Sequence, residues 1–116
     1  MLRKLQITAL SFLFLTFALK TISQINTDSL INIAESKAHD TIRIQALLDV
    51  CWNLKASDPE LALKYGQKAL DLSRIANHKL HEATALKSIG TIHLFLGNFS
   101  KAENYYHAAI KIFNLL

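Results

Sequence analysis

Proline, glycine and cysteine are scarce in this 116-residue chain, which has one Pro, three Gly and one Cys. Few helix breakers, together with many Ala, Leu, Ile and Lys residues, favour α-helix throughout. A single thiol cannot close an internal disulfide, so folding must depend on packing alone. That thiol, Cys51, lies between Val50 and Trp52 in an apolar pattern, and we expect it to be a small buried residue.

Active-site motifs are also missing: the chain has no Gly-x-Ser-x-Gly, no Gly-rich phosphate loop and no His-Glu-x-x-His. We therefore expect a protein that is not an enzyme and has no cofactor.

His78 and His81 are three residues apart and would need a third ligand, such as Glu82 or Asp71, to hold a metal. Zinc sites use three or four convergent ligands. The sequence therefore predicts no metal site, and a His-based site is only a remote alternative.

The chain begins with the layout of a secretory signal peptide. Arg3 and Lys4 form a basic start, an apolar run covers residues 5–19, and Thr21 and Ser23 are small residues at the minus-three and minus-one positions of a cleavage site. The run is shorter than the roughly 20 residues of a membrane-spanning helix. We predict a signal peptide, with an uncleaved membrane anchor and a buried core helix as the alternatives.

Most of the positive charge belongs to this leader. The formal net charge is +4, and without Arg3, Lys4 and Lys20 ten basic residues remain against nine acidic ones, about +1. Binding to nucleic-acid phosphates needs a concentrated cationic face, so we expect no nucleic-acid partner. The predicted localisation is exported, in the periplasm, or membrane-anchored if the leader is not cleaved.

The clearest pattern in the chain covers residues 85–116. Apolar residues recur at three- and four-residue steps in two segments, which predicts two amphipathic helices with a turn between them. We expect Gly97 to end the first helix in left-handed backbone and Asn98 to cap the second. Small residues stand where the helices would cross closely, with large residues beside them. The pattern consists of Leu86, Ile89, Gly90, His93, Leu96, Ala102, Tyr106, Ala109 and Phe113.

This segment resembles a tetratricopeptide repeat, the 34-residue helix-turn-helix unit of α-solenoids. The turn Gly97-Asn98-Phe99 is similar to the family's Gly-Asp/Asn-Tyr turn, and two alanines and a tyrosine follow at the expected spacings. Leu86 replaces the usual Trp, Ile89-Gly90 the usual Leu-Gly, and His93 the usual Tyr. The Pro near the end of the repeat is missing, and Asn114 stands there.

A weaker copy of the pattern precedes it. Asp58 is a good N-cap, Pro59 suits the first helical position and Glu60 complements the positive helix end. Ala62 precedes Ala102 by 40 residues, a period that longer variants of the family use. Gly66 stands at the family's aromatic position in this copy.

Earlier residues predict a partial repeat. We expect a loose polar stretch at 24–27, a short helix that starts at Thr27 or Asp28, and a following helix capped by Asp40 or Thr41. The predicted fold is therefore all-α: an α-solenoid of antiparallel helix pairs preceded by a signal peptide. The predicted organisation is a signal peptide at 1–23 and a tetratricopeptide-like domain at 24–116, with a degenerate first helix at 28–38 and repeats at about 41–77 and 83–116.

The resemblance implies a protein–protein interaction module whose first helices line a concave groove. The groove would bind an extended apolar or amphipathic peptide. Trp52 and Phe95 would be its aromatic anchors, and the alternative is that both belong to the core. The predicted groove residues are Gln45, Asp49, Trp52, Lys55, Lys87, Thr91, Leu94 and Phe95.

The C-terminal helix carries no polar outer face of the kind that caps a solenoid. At least three repeats are usually needed for stability, and about two and a half are present. We therefore expect either a longer protein or a partner at this end, including self-association through the uncapped C-terminal helix. The chain is also similar to the sensor ends of bacterial membrane histidine kinases and regulators, so an extracytoplasmic sensory segment is the alternative function.

Overall fold

A computed structural model describes residues 2–116, and all regular elements in this range are helices. The predicted all-α class is confirmed. The five helices are α1 (Leu2–Glu35), α2 (Asp40–Leu54), α3 (Pro59–Ile75), α4 (Lys79–Phe95) and α5 (Phe99–Asn114).

Short turns join successive helices from α2 onward, so neighbours in the chain run antiparallel. α2 packs against α3, and α4 packs against α5. The two pairs stack through α3 against α4, and the first helices α2 and α4 also touch each other. This arrangement is the predicted helical repeat.

Close packing in the second pair depends on small residues, as predicted. Gly90, Ala102 and Ala109 are all buried. A Cβ atom on Gly90 would lie 3.2 Å from the Ala102 carbonyl oxygen and 3.2 Å from the ring of Tyr106. The glycine therefore lets the backbones of α4 and α5 approach, while Tyr106 fills the space beside it.

The first pair uses a glycine in a different way. Gly66 on α3 takes the place of the family's aromatic residue, and Ile89 from α4 packs closely against it. A Cβ atom on Gly66 would lie 3.0 Å from Ile89 Cγ1 and 3.3 Å from Cys51 Sγ. Ile89 is fully buried and Cys51 almost so, which confirms the predicted burial of the thiol. One side chain thus connects the cores of the two repeats.

The turns follow most of the predicted local signals. Gly97 has a φ of +74° and ends α4 in left-handed backbone. Asp58 caps α3 by accepting a 3.0 Å hydrogen bond from the Leu61 amide, with Pro59 at the start of the helix. The turn after α3 contains Asn77, whose φ of 54° is also left-handed.

One predicted cap is wrong, and another lies at the predicted position without a side-chain capping hydrogen bond. The cap of α2 is His39, whose Nδ1 accepts from the Thr41 amide at 3.3 Å, and neither Asp40 nor Thr41 has this role. Asp40 lies in the first turn and pairs with Arg43 at 3.2 Å instead. Asn98 occupies the N-cap position of α5, but its side chain makes no capping hydrogen bond.

The start of the chain also differs from the prediction. Residues 24–27 are helical, and α1 runs without a break from Leu2 to Glu35, so no separate helix begins at Thr27 or Asp28. No Gly or Pro interrupts this stretch, and the Thr27 hydroxyl donates back to the Ser23 carbonyl at 3.0 Å rather than capping a new helix. The division at residue 23 stays a prediction.

The two parts of α1 lie in different surroundings. Near its C-terminal end α1 packs against α2, with Thr27 and Ala34 buried. The earlier part projects from the domain with its apolar side chains exposed. By length and composition α1 is able to cross a membrane, a test that a signal sequence also passes.

Candidate binding groove

The predicted groove lies along α2 and α4. Each is antiparallel to α3, so the two first helices run parallel and their C-terminal ends lie at the same end of the domain. The eight candidate side chains are half-buried or exposed, while the residues between them form the core. Their role in binding stays a prediction.

Trp52 is the largest exposed side chain on α2. It is 53% exposed, so it does not belong to the core. Lys55 lies beside it: the ammonium nitrogen is 3.6 Å from the centroid of the indole ring and donates to the Trp52 carbonyl at 3.2 Å. A cation over an aromatic face is attracted by the ring electrons. The ammonium group of Lys55 therefore covers one face of the Trp52 ring.

α4 contributes a second apolar patch at its C-terminal end. Leu94 is 43% exposed and Phe95 is 52% exposed. Because α2 and α4 are parallel and in contact, this patch lies toward the same end of the domain as Trp52. These large side chains remain accessible while their helix neighbours Ile92 and His93 are buried.

The polar candidates differ in their freedom to meet a ligand. Lys87 is exposed on α4. The Thr91 hydroxyl donates to the Lys87 carbonyl at 3.1 Å and lies 2.9 Å from the Tyr106 hydroxyl. Thr91 is thus bonded toward α5 rather than into the groove. On α2 the Gln45 amide donates to Asp49 at 2.9 Å, so these two side chains hold each other along the helix surface.

Beside Gln45 and Asp49 lies an open cleft of about 380 Å³ that the sequence did not predict. It forms where α1, α2 and the start of α4 meet. Positions carried over from the repeat pattern miss it because α1 supplies one wall, and no repeat motif covers α1. Its apolar wall comes from Leu30, Ile33 and Ile42, and its polar rim from Gln45, Asp49 and His81.

Comparison with known families agrees with this geometry. The tetratricopeptide-repeat family profile matches residues 52–114, more than half of the chain. The chain belongs to the tetratricopeptide-repeat family. The match begins at Trp52 in α2 and ends at Asn114, the last residue of α5. No curated protein and no solved structure matches the chain. Tetratricopeptide repeats indicate a protein–protein interaction module, and the family is typically a non-catalytic scaffold.

His78 and His81 of the tetratricopeptide domain lie close together at the turn before α4. Their Nδ1 atoms are 2.9 Å apart, a hydrogen-bond distance. A zinc ion about 2.0–2.1 Å from each nitrogen, with tetrahedral angles, would hold them about 3.3 Å apart. Burial, and then the nearby His78, lowers the pKa of His81.

Both residues considered as a third ligand already have partners, and Asp71 accepts from the Gln67 amide at 2.9 Å. Glu82 is buried, and its two carboxylate oxygens accept from Lys79 at 2.8 Å and from Arg74 at 3.1 Å. The hydrogen bond from Lys79 is the main cause of the lowered pKa of Glu82. Within residues 2–116 no group of three metal-ligating side chains comes together. Glu82 instead fastens the start of α4 to the end of α3.

His93 replaces the family's tyrosine in the core between α4 and α5. It is buried and stacks on Tyr105 with ring centroids 5.3 Å apart. Its Nδ1 has no hydrogen-bond partner. Burial, and then the charge of Lys101, lowers the pKa of His93, so the neutral ring is favoured.

The outer face of α5 remains exposed. Ile110 and Phe113 are accessible on the helix, and Leu115 and Leu116 follow it. These are the residues through which self-association was predicted, and this self-association stays a prediction.

Proposed function

We propose that the chain binds an extended segment of a partner protein along the groove formed by α2 and α4. The observation that supports this most is the exposure of Trp52, Leu94 and Phe95 on two helices whose other large apolar residues are mostly buried. Aromatic side chains supply large contact areas and are enriched at interface hot spots. The ligand we propose therefore carries apolar side chains spaced along an extended backbone.

We propose further that the chain has no catalysis of its own. Two of its carboxylates have structural roles: Asp58 caps α3, and Glu82 is held by Arg74 and Lys79. The family is typically a non-catalytic scaffold, which supports the same view.

Export is the third part of the proposal. The basic start, the apolar run at 5–19 and the small residues Thr21 and Ser23 support a chain directed across the cytoplasmic membrane into the periplasm. Protease treatment of intact spheroplasts tests this, because an exported domain is digested from outside while a cytoplasmic marker protein survives. Protection of the domain until the membrane is broken would contradict export.

The groove is tested with peptides selected from a random display library on the immobilised full chain in a mild detergent. We expect Trp52→Ala to weaken binding of the selected peptides at least tenfold, as hot-spot truncations do. The matched control is Ile75→Ala, which removes an apolar side chain that is 81% exposed on α3, a second helix of a repeat. Equal losses for both variants, or no loss for Trp52→Ala, would place the binding surface elsewhere.

A sensory segment of a longer signalling protein is the alternative function. The exposure of Ile110 and Phe113 on α5 favours it, because a further repeat would pack on this face. Reading the genomic DNA beyond codon 116 tests it: an open frame that leads to a kinase or DNA-binding domain supports the alternative, and a stop codon removes it.

A further inference from the structure

The projecting part of α1 has the surface of a helix in lipid. Eleven large apolar side chains between Leu2 and Ile22 are each 56–79% exposed. They lie on all sides of the helix rather than along one stripe, and a helix that is apolar all round is suited to a membrane or a protein core. The protein offers no core here, since these side chains remain exposed.

The hydroxyl groups in this stretch are satisfied within the helix. Each donates to a backbone carbonyl three or four residues earlier, at 2.8–3.0 Å. A bilayer interior has no water to replace such bonds, so internal satisfaction is what lipid requires of a polar group. The residues concerned are Thr8, Ser11, Thr16 and Thr21.

The length of the helix also fits a bilayer. The stretch without charged residues between Lys4 and Lys20 is short, but α1 continues as regular helix on both sides of it. At 1.5 Å per residue, Leu2 and Ile22 are about 30 Å apart, which is the thickness of the hydrocarbon core. Arg3 and Lys4 then lie near one end and Lys20 near the other, where long basic side chains reach along the apolar surface to the head groups.

The predicted cleavage site directly precedes the part of α1 that docks on the repeat domain: Ser23 and Gln24 are exposed, and Thr27 is buried. The Ser23 carbonyl, which belongs to the bond that a signal peptidase would cut, accepts from the Thr27 hydroxyl, and Thr27 is only 5% exposed. Further along, Arg43 of α2 donates from Nε to the Ala34 carbonyl at 3.1 Å. A peptidase binds its substrate in an extended form, so cleavage would require α1 to unwind next to a docked segment.

We propose that α1 is a retained membrane anchor: residues 2–22 span a phospholipid bilayer, and the rest of the same helix is the first helix of the repeat domain. The side of the membrane on which the domain lies rests on the proposed export, but the anchoring does not. Leu30 is eight residues beyond Ile22, so the cleft beside α2 lies about 12 Å along the helix from the edge of the lipid. This cleft is thereby held near the membrane surface.

The test uses the full chain with a C-terminal tag, expressed in a Gram-negative bacterium. Membranes are washed with sodium carbonate at high pH, and the protein in the pellet is analysed by intact mass. We expect it in the pellet with residues 2–23 still attached. A mass that begins at Gln24, or release of the intact chain by the wash, would overturn the anchor.

Two matched variants separate insertion from general loss of solubility. Phe14→Arg places a charge at the middle of the proposed span, and Ile75→Arg makes the same kind of change at an exposed apolar residue of the repeat domain. We expect the carbonate-resistant fraction to fall at least fivefold for Phe14→Arg and to stay unchanged for Ile75→Arg. An equal response of both variants would contradict the anchor.

A third variant, Ser23→Leu, addresses processing. Replacement of a small residue at this position blocks a signal peptidase, so a cleaved protein would gain 23 residues in mass. We expect the mass to change only by the substitution itself. Peptide binding at the groove is measured separately, so failure of the anchor leaves the proposed function standing, and the reverse is also true.

Discussion

Replacement of Trp52 by alanine should cost little stability. A buried aromatic side chain removes about 150–250 Å² from water, and Trp52 is 53% exposed, so it covers roughly 100 Å². At about 25 cal/mol per Å² this amounts to about 2.5 kcal/mol, an upper value because the unfolded chain already hides part of its surface. We expect Trp52→Ala to lower the free energy of unfolding by about 1–2 kcal/mol.

The assay is urea denaturation of the full chain in a mild detergent, followed by far-UV circular dichroism because the substitution removes the only tryptophan. Ile89→Ala is the control: Ile89 is fully buried between the two repeats, and its truncation should cost about 2–5 kcal/mol. If Trp52→Ala costs about 3–5 kcal/mol, as a core Trp does, Trp52 is core and the reasoning fails.

Three further predictions concern the interior and its titrating groups. Glu82 has a pKa below its ordinary 4.5 in the folded protein, so the stability it provides is present above pH 4.5 and is lost as the pH falls through the folded value. In urea unfolding between pH 7 and 3, the free energy of unfolding should therefore fall less for Glu82→Gln than for the wild type. An equal fall in both proteins would refute the role of Lys79 and Arg74. His93 also has a lowered pKa, so its contribution to stability is full above pH 6.5 and declines as the pH falls through the folded value. His93→Tyr, which restores the family's residue, should reduce the loss of unfolding free energy measured between pH 7 and 5. An unchanged loss would be inconsistent with a buried neutral ring. Burial raises the pKa of Cys51 to about 11. A disulfide reagent that reacts with thiolates should therefore modify the native chain at pH 8 far more slowly than the urea-unfolded chain. Equal rates would mean that the thiol is accessible.

Local signals in the sequence predicted the parts of the fold that depend on neighbouring residues. The left-handed backbone at Gly97 and the cap at Asp58 follow from conformational freedom and from a side chain that reaches its own helix. Gly90, Ala102 and Ala109 were predicted at a close crossing because Gly90 lies in the apolar spacing pattern of α4, and Ala102 and Ala109 lie in that of α5.

The features that the sequence did not predict depend on contacts with distant residues. α1 continues through residues 24–27 because nothing there breaks a helix and because Thr27 docks against α2. His39 caps α2 although it is outside the usual capping types, so residue preference alone favoured Asp40 or Thr41. The cleft lined by Leu30, Ile33 and Ile42 requires the packing of α1 on α2, which no repeat motif describes.

For the groove residues, too, the sequence could not predict what depends on contacts with distant residues. The repeat pattern placed Trp52 and Phe95 on the correct helices but left open whether they were core or surface, and the packing of α2 on α4 leaves both exposed. Thr91 was carried over as a groove residue, while its hydroxyl lies next to Tyr106 of α5. Such pairings depend on the facing helix and are not visible in a spacing pattern.

The most direct measurement of groove binding is the fluorescence of the only tryptophan, Trp52, during titration of the full chain with a library-selected peptide. We predict a shift of the emission to shorter wavelength and reduced quenching by acrylamide as the peptide covers the ring. We also predict that Phe95→Ala weakens both effects in parallel. Saturable peptide binding with unchanged emission and unchanged quenching would contradict binding in the groove between α2 and α4.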